Sequence, residues 1–386
     1  MEMNKLTIIA ILTTLAWNAD RALAAPAPEP QGRAEEAVAG ATSPRDLPTI
    51  RPGLEGVYPV YVAPPVKTRS RVIGTLKGRE IIAIESPAHV SGMGKYMSLD
   101  PSGDVWYVES REDKAVRINP TTLEMTQYFV PKGAAPYSVA VDSKGVVWMT
   151  AHGIEMLIEL HPSEAKVIAH QPPSHGFLIH INIADDDTVW FTQPGNNQIV
   201  SYRHDRGFKE YPTPTKQSGP GRLDFDAHGD VWFPELYTDK LAKLEVATGK
   251  ITEWDMPTKN ALPAGVRVDA QNAIWISEPM ADKLAIFRNG KFQEFQVPTR
   301  GSVVSTNVSD ELGNVWFTEG GWRGSAGGNK LGWLDPRTGK VEEFPLPFEN
   351  AQPLGIVRAR DNSLWFSLVT GGHICRVLPR APGAKL

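Results

Sequence analysis

The chain has 386 residues, a formal net charge of −4 at neutral pH and 41% hydrophobic residues. A balance this close to neutral excludes nucleic acid as the main partner, because phosphate recognition needs clustered Lys and Arg. The single cysteine, Cys375, excludes an intramolecular disulfide. Its apolar strand, His373-Ile374-Cys375-Arg376-Val377-Leu378, suits a small buried hydrophobe. A nucleophile there would need a thiolate-stabilising neighbour.

Residues 1–24 read as an export signal: Lys5 supplies the positive start, Leu6 to Trp17 the apolar core, and Ala22-Leu23-Ala24 a small-residue cleavage site. The run Ile8-Ile9-Ala10-Ile11-Leu12 is too short to span a bilayer, and no later stretch is a transmembrane candidate. The mature, exported protein is therefore expected to start near Ala25, periplasmic or secreted. Residues 25–70 are rich in Ala, Pro and Glu with little apolar periodicity, and read as a tether of little fixed structure. From residue 71 to about 380 the chain reads as one domain. Glu80-Ile81-Ile82-Ala83-Ile84-Glu85 has the β-branched content of a strand.

A repeat follows. Tryptophans stand at 106, 148, 190, 232, 275, 316 and 365, with steps of 42, 42, 42, 43, 41 and 49 residues. Gly313-Asn314-Val315-Trp316-Phe317-Thr318-Glu319 is its fullest copy. A period near forty marks one supersecondary unit repeated around an axis or along a solenoid. Each unit reads as four short strands: an apolar run such as Ser138-Val139-Ala140-Val141-Asp142, the Trp strand, a run such as Lys283-Leu284-Ala285-Ile286-Phe287, and a strand ending in proline such as Glu294-Phe295-Gln296-Val297-Pro298. Gly and Asp turns between them make an antiparallel meander, and proline suits the outermost strand. The fold class is thus all-β: a seven-bladed β-propeller of four-stranded antiparallel blades. The seventh unit stops after three strands at Leu378-Pro379, so residues 81–87 are expected to pair into the last blade and close the ring. The tryptophans are read as packing between blades.

Antiparallel pairing puts the start of the first strand and the end of the Trp strand on the same rim. Ten residues before each Trp stand Tyr96, Ser138, His180, Arg222, Gly265, Thr306 and Gly355; three residues after stand Glu109, Ala151, Gln193, Glu235, Glu278, Glu319 and Leu368. Both sets are expected to line the axial mouth. Two readings of the glutamates stay open. In one they are rim groups that accept backbone N–H bonds or pair with Lys114, Lys240, Lys283 and Lys330. In the other, Glu109, Glu235, Glu278 and Glu319 hold Mg2+ or Ca2+, His180 is base or ligand, and Arg222 holds an oxyanion. Tyr96 would share the catalytic site, and Ser138 and Thr306 would bind substrate. The other histidines, His152, His161, His175, His204 and His228, fall in loops and turns. Blade six carries an insert, Gly320-Gly321-Trp322-Arg323-Gly324-Ser325-Ala326-Gly327-Gly328, a flexible loop or a lid whose Trp322 and Arg323 would meet substrate.

The blade signature over Asn314–Pro347, Val-Trp-Phe-Thr-Glu followed by Asn-Lys-Leu-Gly and Thr-Gly-Lys-Val-Glu-Glu-Phe-Pro-Leu-Pro, resembles the virginiamycin B lyase (streptogramin lyase) family. The resemblance covers about residues 80–378. It implies a seven-bladed propeller that opens a cyclic depsipeptide by elimination with Mg2+. The family's aromatic residue of the first blade matches Tyr96. Its two essential histidines fall on Thr306 and Gly355, and its two expected glutamates on Leu368 and Pro353. The sequence therefore supports three functions: a metal-assisted lyase or ring-opening enzyme acting on a cyclic ester or related small molecule; a non-catalytic module binding a small molecule or another exported protein; or a lactonase-type hydrolase with Asn182 and Asn307 beside Ca2+.

Overall fold

A computed structural model describes residues 41–87, 96–320, 328–370 and 372–380. The expected export signal, the start of the tether, and Trp322 and Arg323 lie outside the described residues. Seven antiparallel meanders form, one per repeat tryptophan, and the inner strands of successive blades meet around a common axis. The inner strand of blade 7, Pro353–Arg358, contacts that of blade 1, Met97–Leu99, so the ring closes. The strand Arg79–Glu85 pairs antiparallel with His373–Val377 and supplies the fourth strand of blade 7, as the sequence required. Among the described residues, no helix is long and apolar enough to cross a membrane.

In five of the seven blades the local signal for the hairpin is an aspartate six residues before the tryptophan. Asp142 accepts the Lys144 and Val146 amides on Oδ1, each at 2.9 Å, and the Trp148 indole N–H on Oδ2 at 3.2 Å. Asp100, Asp226, Asp269 and Asp310 bind their indoles in the same way at 2.9–3.0 Å. The tight turn needs a left-handed residue three before the tryptophan. Gly103, Gly145, Gly229 and Gly313 supply it, and Asp187, Asn272 and Asn362 do so elsewhere.

Each tryptophan packs into the next blade. Trp148 joins a cluster with Ile181, Val189 and Phe191 of blade 3; Trp316 joins Leu364 and Phe366 of blade 7; Trp365 joins Val105 and Tyr107 of blade 1. All seven are at most 7% exposed. Cys375 is fully buried in blade 7, where desolvation pushes its thiol pKa up, as a packing cysteine requires.

The tether expectation needs correction over its described part. Residues 41–76 wrap the outside of three blades. Gly56–Pro59 pairs with Lys166–His170 of blade 2, Tyr61–Val62 and Val66–Lys67 pair with Glu124–Phe129 of blade 1, and Ser70–Leu76 adds a fifth strand to blade 7. Leu47, Ile50 and Val60 are buried at 4%, 2% and 1% exposure. Strands of two to four residues on a sheet edge need only backbone bonds, so no hydrophobic alternation marks them in the sequence. A chain beginning at residue 68 should melt about 5 °C or more below one beginning at residue 41, since three buried apolar side chains are lost. Equal melting temperatures by calorimetry would show that the arm contributes nothing.

Candidate functional site

Seven inner strands leave an axial cavity of about 300 Å3, lined by residues from every blade. Its polar lining includes Tyr96, Ser138, His180, Asn182, Asp224 and Arg267. Four of the seven positions ten before the tryptophan are set by one recurring bond. A hydroxyl two residues after the Trp accepts the amide of the inner-strand residue: Ser138 N to Thr150, His180 N to Thr192, Thr306 N to Thr318 and Gly355 N to Ser367. Blade 4 has Pro234 at that place. There the Arg222 amide donates instead to the Ala264 carbonyl at 3.0 Å, and the chain bridges in parallel to Gly265 of blade 5. Gly265 leaves room for the Arg222 stem, since a Cβ there would stand 3.3 Å from its Cβ and Cδ.

The structure brings Tyr96, His180 and Arg222 together. The Arg222 guanidinium carbon lies 4.6 Å from the Tyr96 ring centroid, and His180 meets the same ring edge-on at 5.9 Å. Blades 1 and 4 face each other across the ring, so this contact spans the axis. Tyr137, His152 and Phe177 extend it as an aromatic wall: Tyr137 is 5.7 Å from Tyr96 and 6.1 Å from Phe177, and His152 is 4.7 Å from Phe177. Sequence reasoning missed Tyr137 and Phe177 and left His152 in a blade-edge loop. The available signal was the place of Tyr137 in the inner strand of blade 2 and of Phe177 shortly before that of blade 3.

Arg222 is 5% exposed. Its Nε is buried without a hydrogen-bond partner, and no carboxylate pairs with the guanidinium among the described residues. Desolvation, then the Arg267 charge, lowers its pKa to about 10, so it stays cationic at neutral pH. Asp224 is already occupied: Oδ1 accepts from Asn182 at 3.1 Å, Oδ2 from the Val268 amide at 2.9 Å, and Arg267 stands 3.9 Å away. Burial, then Arg222 and Arg267, holds His180 well below the usual histidine range, so it is neutral. The Leu223 amide donates to His180 Nδ1 at 3.3 Å. A neutral ring with Nδ1 accepting carries its hydrogen on Nε2. His180 thus offers the cavity a donor, where the sequence expectation had a base or metal ligand.

Ser138 lines the cavity but is fully buried, and its Oγ accepts the Ile181 amide. Thr306 is 1% exposed, with its hydroxyl on the Leu354 carbonyl and Thr318. The Thr306 hydroxyl is therefore engaged within the ring, while Ser138 keeps its O–H hydrogen on the cavity side. Asn307 is 2% exposed and donates to Ser277 in the blade interior, so it does not stand beside Asn182.

The four glutamates do not reach the mouth. Glu109, Glu235, Glu278 and Glu319 are at most 1% exposed, each within its own blade, and none lines the cavity. The Trp strand is second from the axis, so its end lies under the rim loops. The expected lysine partners bind other groups: Lys240 to Glu253, Lys283 to Glu294 and Lys330 to Glu343 at 2.6–2.8 Å, and Lys114 to Glu112 and Gln127. Among the described residues, no three His, Cys, Asp or Glu side chains are grouped to hold a metal ion. The donor set expected for Mg2+ or Ca2+ therefore does not converge. Three histidines do gather, around Glu159 on the outer side of blades 2 and 3: His161 and His170 at 2.8 Å and His204 at 3.3 Å. That cluster is remote from the cavity lining.

Burial, then a nearby carboxylate of the outer strand, pushes Glu235 to about 7, Glu278 to about 8 and Glu319 to about 9. Their folded-state pKa values lie above the unfolded value of 4.5, so the folded protein holds protons that the unfolded chain has released. Stability contributed by these groups is full below the unfolded pKa and is lost as pH rises towards 9. Glu319→Gln and Glu278→Gln should match the parent near pH 5 and exceed it in urea midpoint near pH 9. A gap that does not change with pH would contradict this.

The sequence model of the Virginiamycin B lyase family matches residues 67–247 and 178–382. A streptogramin B lyase structure aligns with TM-score 0.69 at 24% identity, covering 77% of this chain and 97% of that one. Virginiamycin B lyase from Staphylococcus aureus aligns with TM-score 0.70 at 22% identity, covering 78% and 99%. Its catalytically inactive histidine-to-alanine variant with quinupristin aligns with TM-score 0.69 at 24% identity, covering 78% and 99%. A comparison with curated proteins gives no match. These likenesses carry the fold, while the family model spans most of the propeller: the chain belongs to the Virginiamycin B lyase family.

Proposed function

We propose that this chain is an exported, ligand-binding propeller of the lyase family, which captures a small molecule at the axial cavity and does not run the family's elimination. The leader read in residues 1–24 supports export. One observation carries the binding reading. At the two places where the family resemblance puts essential histidines stand Thr306 and Gly355, held by Leu354, Thr318 and Ser367. His180, the histidine among the inner-strand positions, is neutral with Nδ1 already accepting a backbone hydrogen bond. A proton-abstracting group has no free lone pair there, and loss of a general base alone removes about 10²–10⁴ in rate. What remains is recognition: an axial cavity lined by Tyr96, His180 and a few convergent polar groups. A shared fold does not carry the chemistry with it.

Quinupristin, present with the Staphylococcus aureus variant, is the direct probe. Incubated with this protein and Mg2+, it should be recovered intact by mass spectrometry. A ring-opened product that disappears in His180→Ala would overturn the reading and restore the lyase assignment.

A further inference from the structure

Resting on the reading of the axial cavity as a ligand site, we infer that the ligand is an organic anion whose carboxylate or phosphoryl head binds Arg222 and the His180 Nε2–H. The argument begins with the cost of Arg222. A guanidinium 5% exposed with no carboxylate partner among the described residues gives up hydration without an ion pair in return. Native proteins leave few such groups, and each needs an account. Here the surroundings keep the arginine in place: the stem crosses Gly265, the guanidinium stacks on Tyr96, and the backbone is turned by Pro234. The group is built in and left open to one kind of partner.

The local charge agrees. Arg267 and Arg358 line the cavity against one carboxylate, Asp224, which already accepts two hydrogen bonds. Arg267 Nε is also buried without a hydrogen-bond partner. Arg222 stands behind that lining, stacked on Tyr96, so three cations gather near one anion in a chain whose overall charge is −4. A low-dielectric cavity strengthens that field towards an anion. The hydrogen on His180 Nε2 adds a neutral donor, a combination that satisfies oxyanion lone pairs and offers nothing to a cation. Tyr96, Leu99, Val268, Val308 and Val357 in the lining give the ligand's apolar body a surface.

The test measures binding of benzoate, benzamide and inorganic phosphate by calorimetry and thermal shift, with the parent protein, Arg222→Gln and Arg222→Lys. Benzoate or phosphate should bind and raise the melting temperature, benzamide should not, and Arg222→Gln should weaken the anion at least tenfold. Benzoate alone marks a carboxylate site and phosphate alone a phosphoryl site. Arg222→Lys keeps the charge without the planar fork and should fall between the two, which preserves the test where Arg222→Gln fails to fold. Equal binding of benzamide, binding indifferent to both variants, or no binding of either anion at millimolar concentration overturns the inference. Chemical change in a bound anion, read by mass spectrometry, would instead overturn the non-catalytic reading and leave the anion assignment standing.

Discussion

Every blade is held by the tryptophan of the blade before it. The indole leaves its own hairpin, anchored in most blades by an aspartate six residues earlier, and fills the core of its neighbour. No blade therefore has a complete core alone. Seven such insertions form a closed circuit, because Trp365 packs among Val105 and Tyr107 of blade 1. A ring made this way tolerates no open end, which is why the last blade borrows Arg79–Glu85 from the start of the chain. The arm before it covers the outer edges of blades 1 and 2 and removes strand edges that would otherwise invite pairing with other chains.

That circuit also positions the chemistry. Seven inner strands converge at one axis, and in four blades a hydroxyl from the Trp strand sets the backbone of the ring residue. Where Pro234 replaces the hydroxyl, the strand shifts to its neighbour and carries Arg222 across to Tyr96. The proposed departure of this chain from the family's chemistry thus rests on a few side chains on a shared frame. Histidine is absent from two places and present at a third, where a backbone amide fixes its tautomer and turns it from acceptor into donor.

Much of this was legible in the sequence. The tryptophan period gave the blade number, and counting ten residues back found Tyr96, His180 and Arg222, because antiparallel register is fixed by the turn. Counting three forward misled. Position along a strand gives the rim but not the distance from the axis, so Glu235, Glu278 and Glu319 were assigned to the mouth and lie buried one strand outward. Contacts between opposite blades, such as Arg222 with Tyr96, are set by closure of the whole ring and leave no local pattern. The arm strands were hidden for another reason: they are held by edge hydrogen bonds, and their side chains show no period.

The central claim is that the axial histidine is a fixed donor. Long-range proton–nitrogen correlation spectra of the ring nitrogens, recorded across pH on protein labelled at histidine, read this directly. The account predicts that His180 stays neutral with hydrogen on Nε2 throughout the neutral range, its signals absent from the spectrum of His180→Gln. A His180 carrying its hydrogen on Nδ1, or titrating near the ordinary value of 6.5, would contradict it.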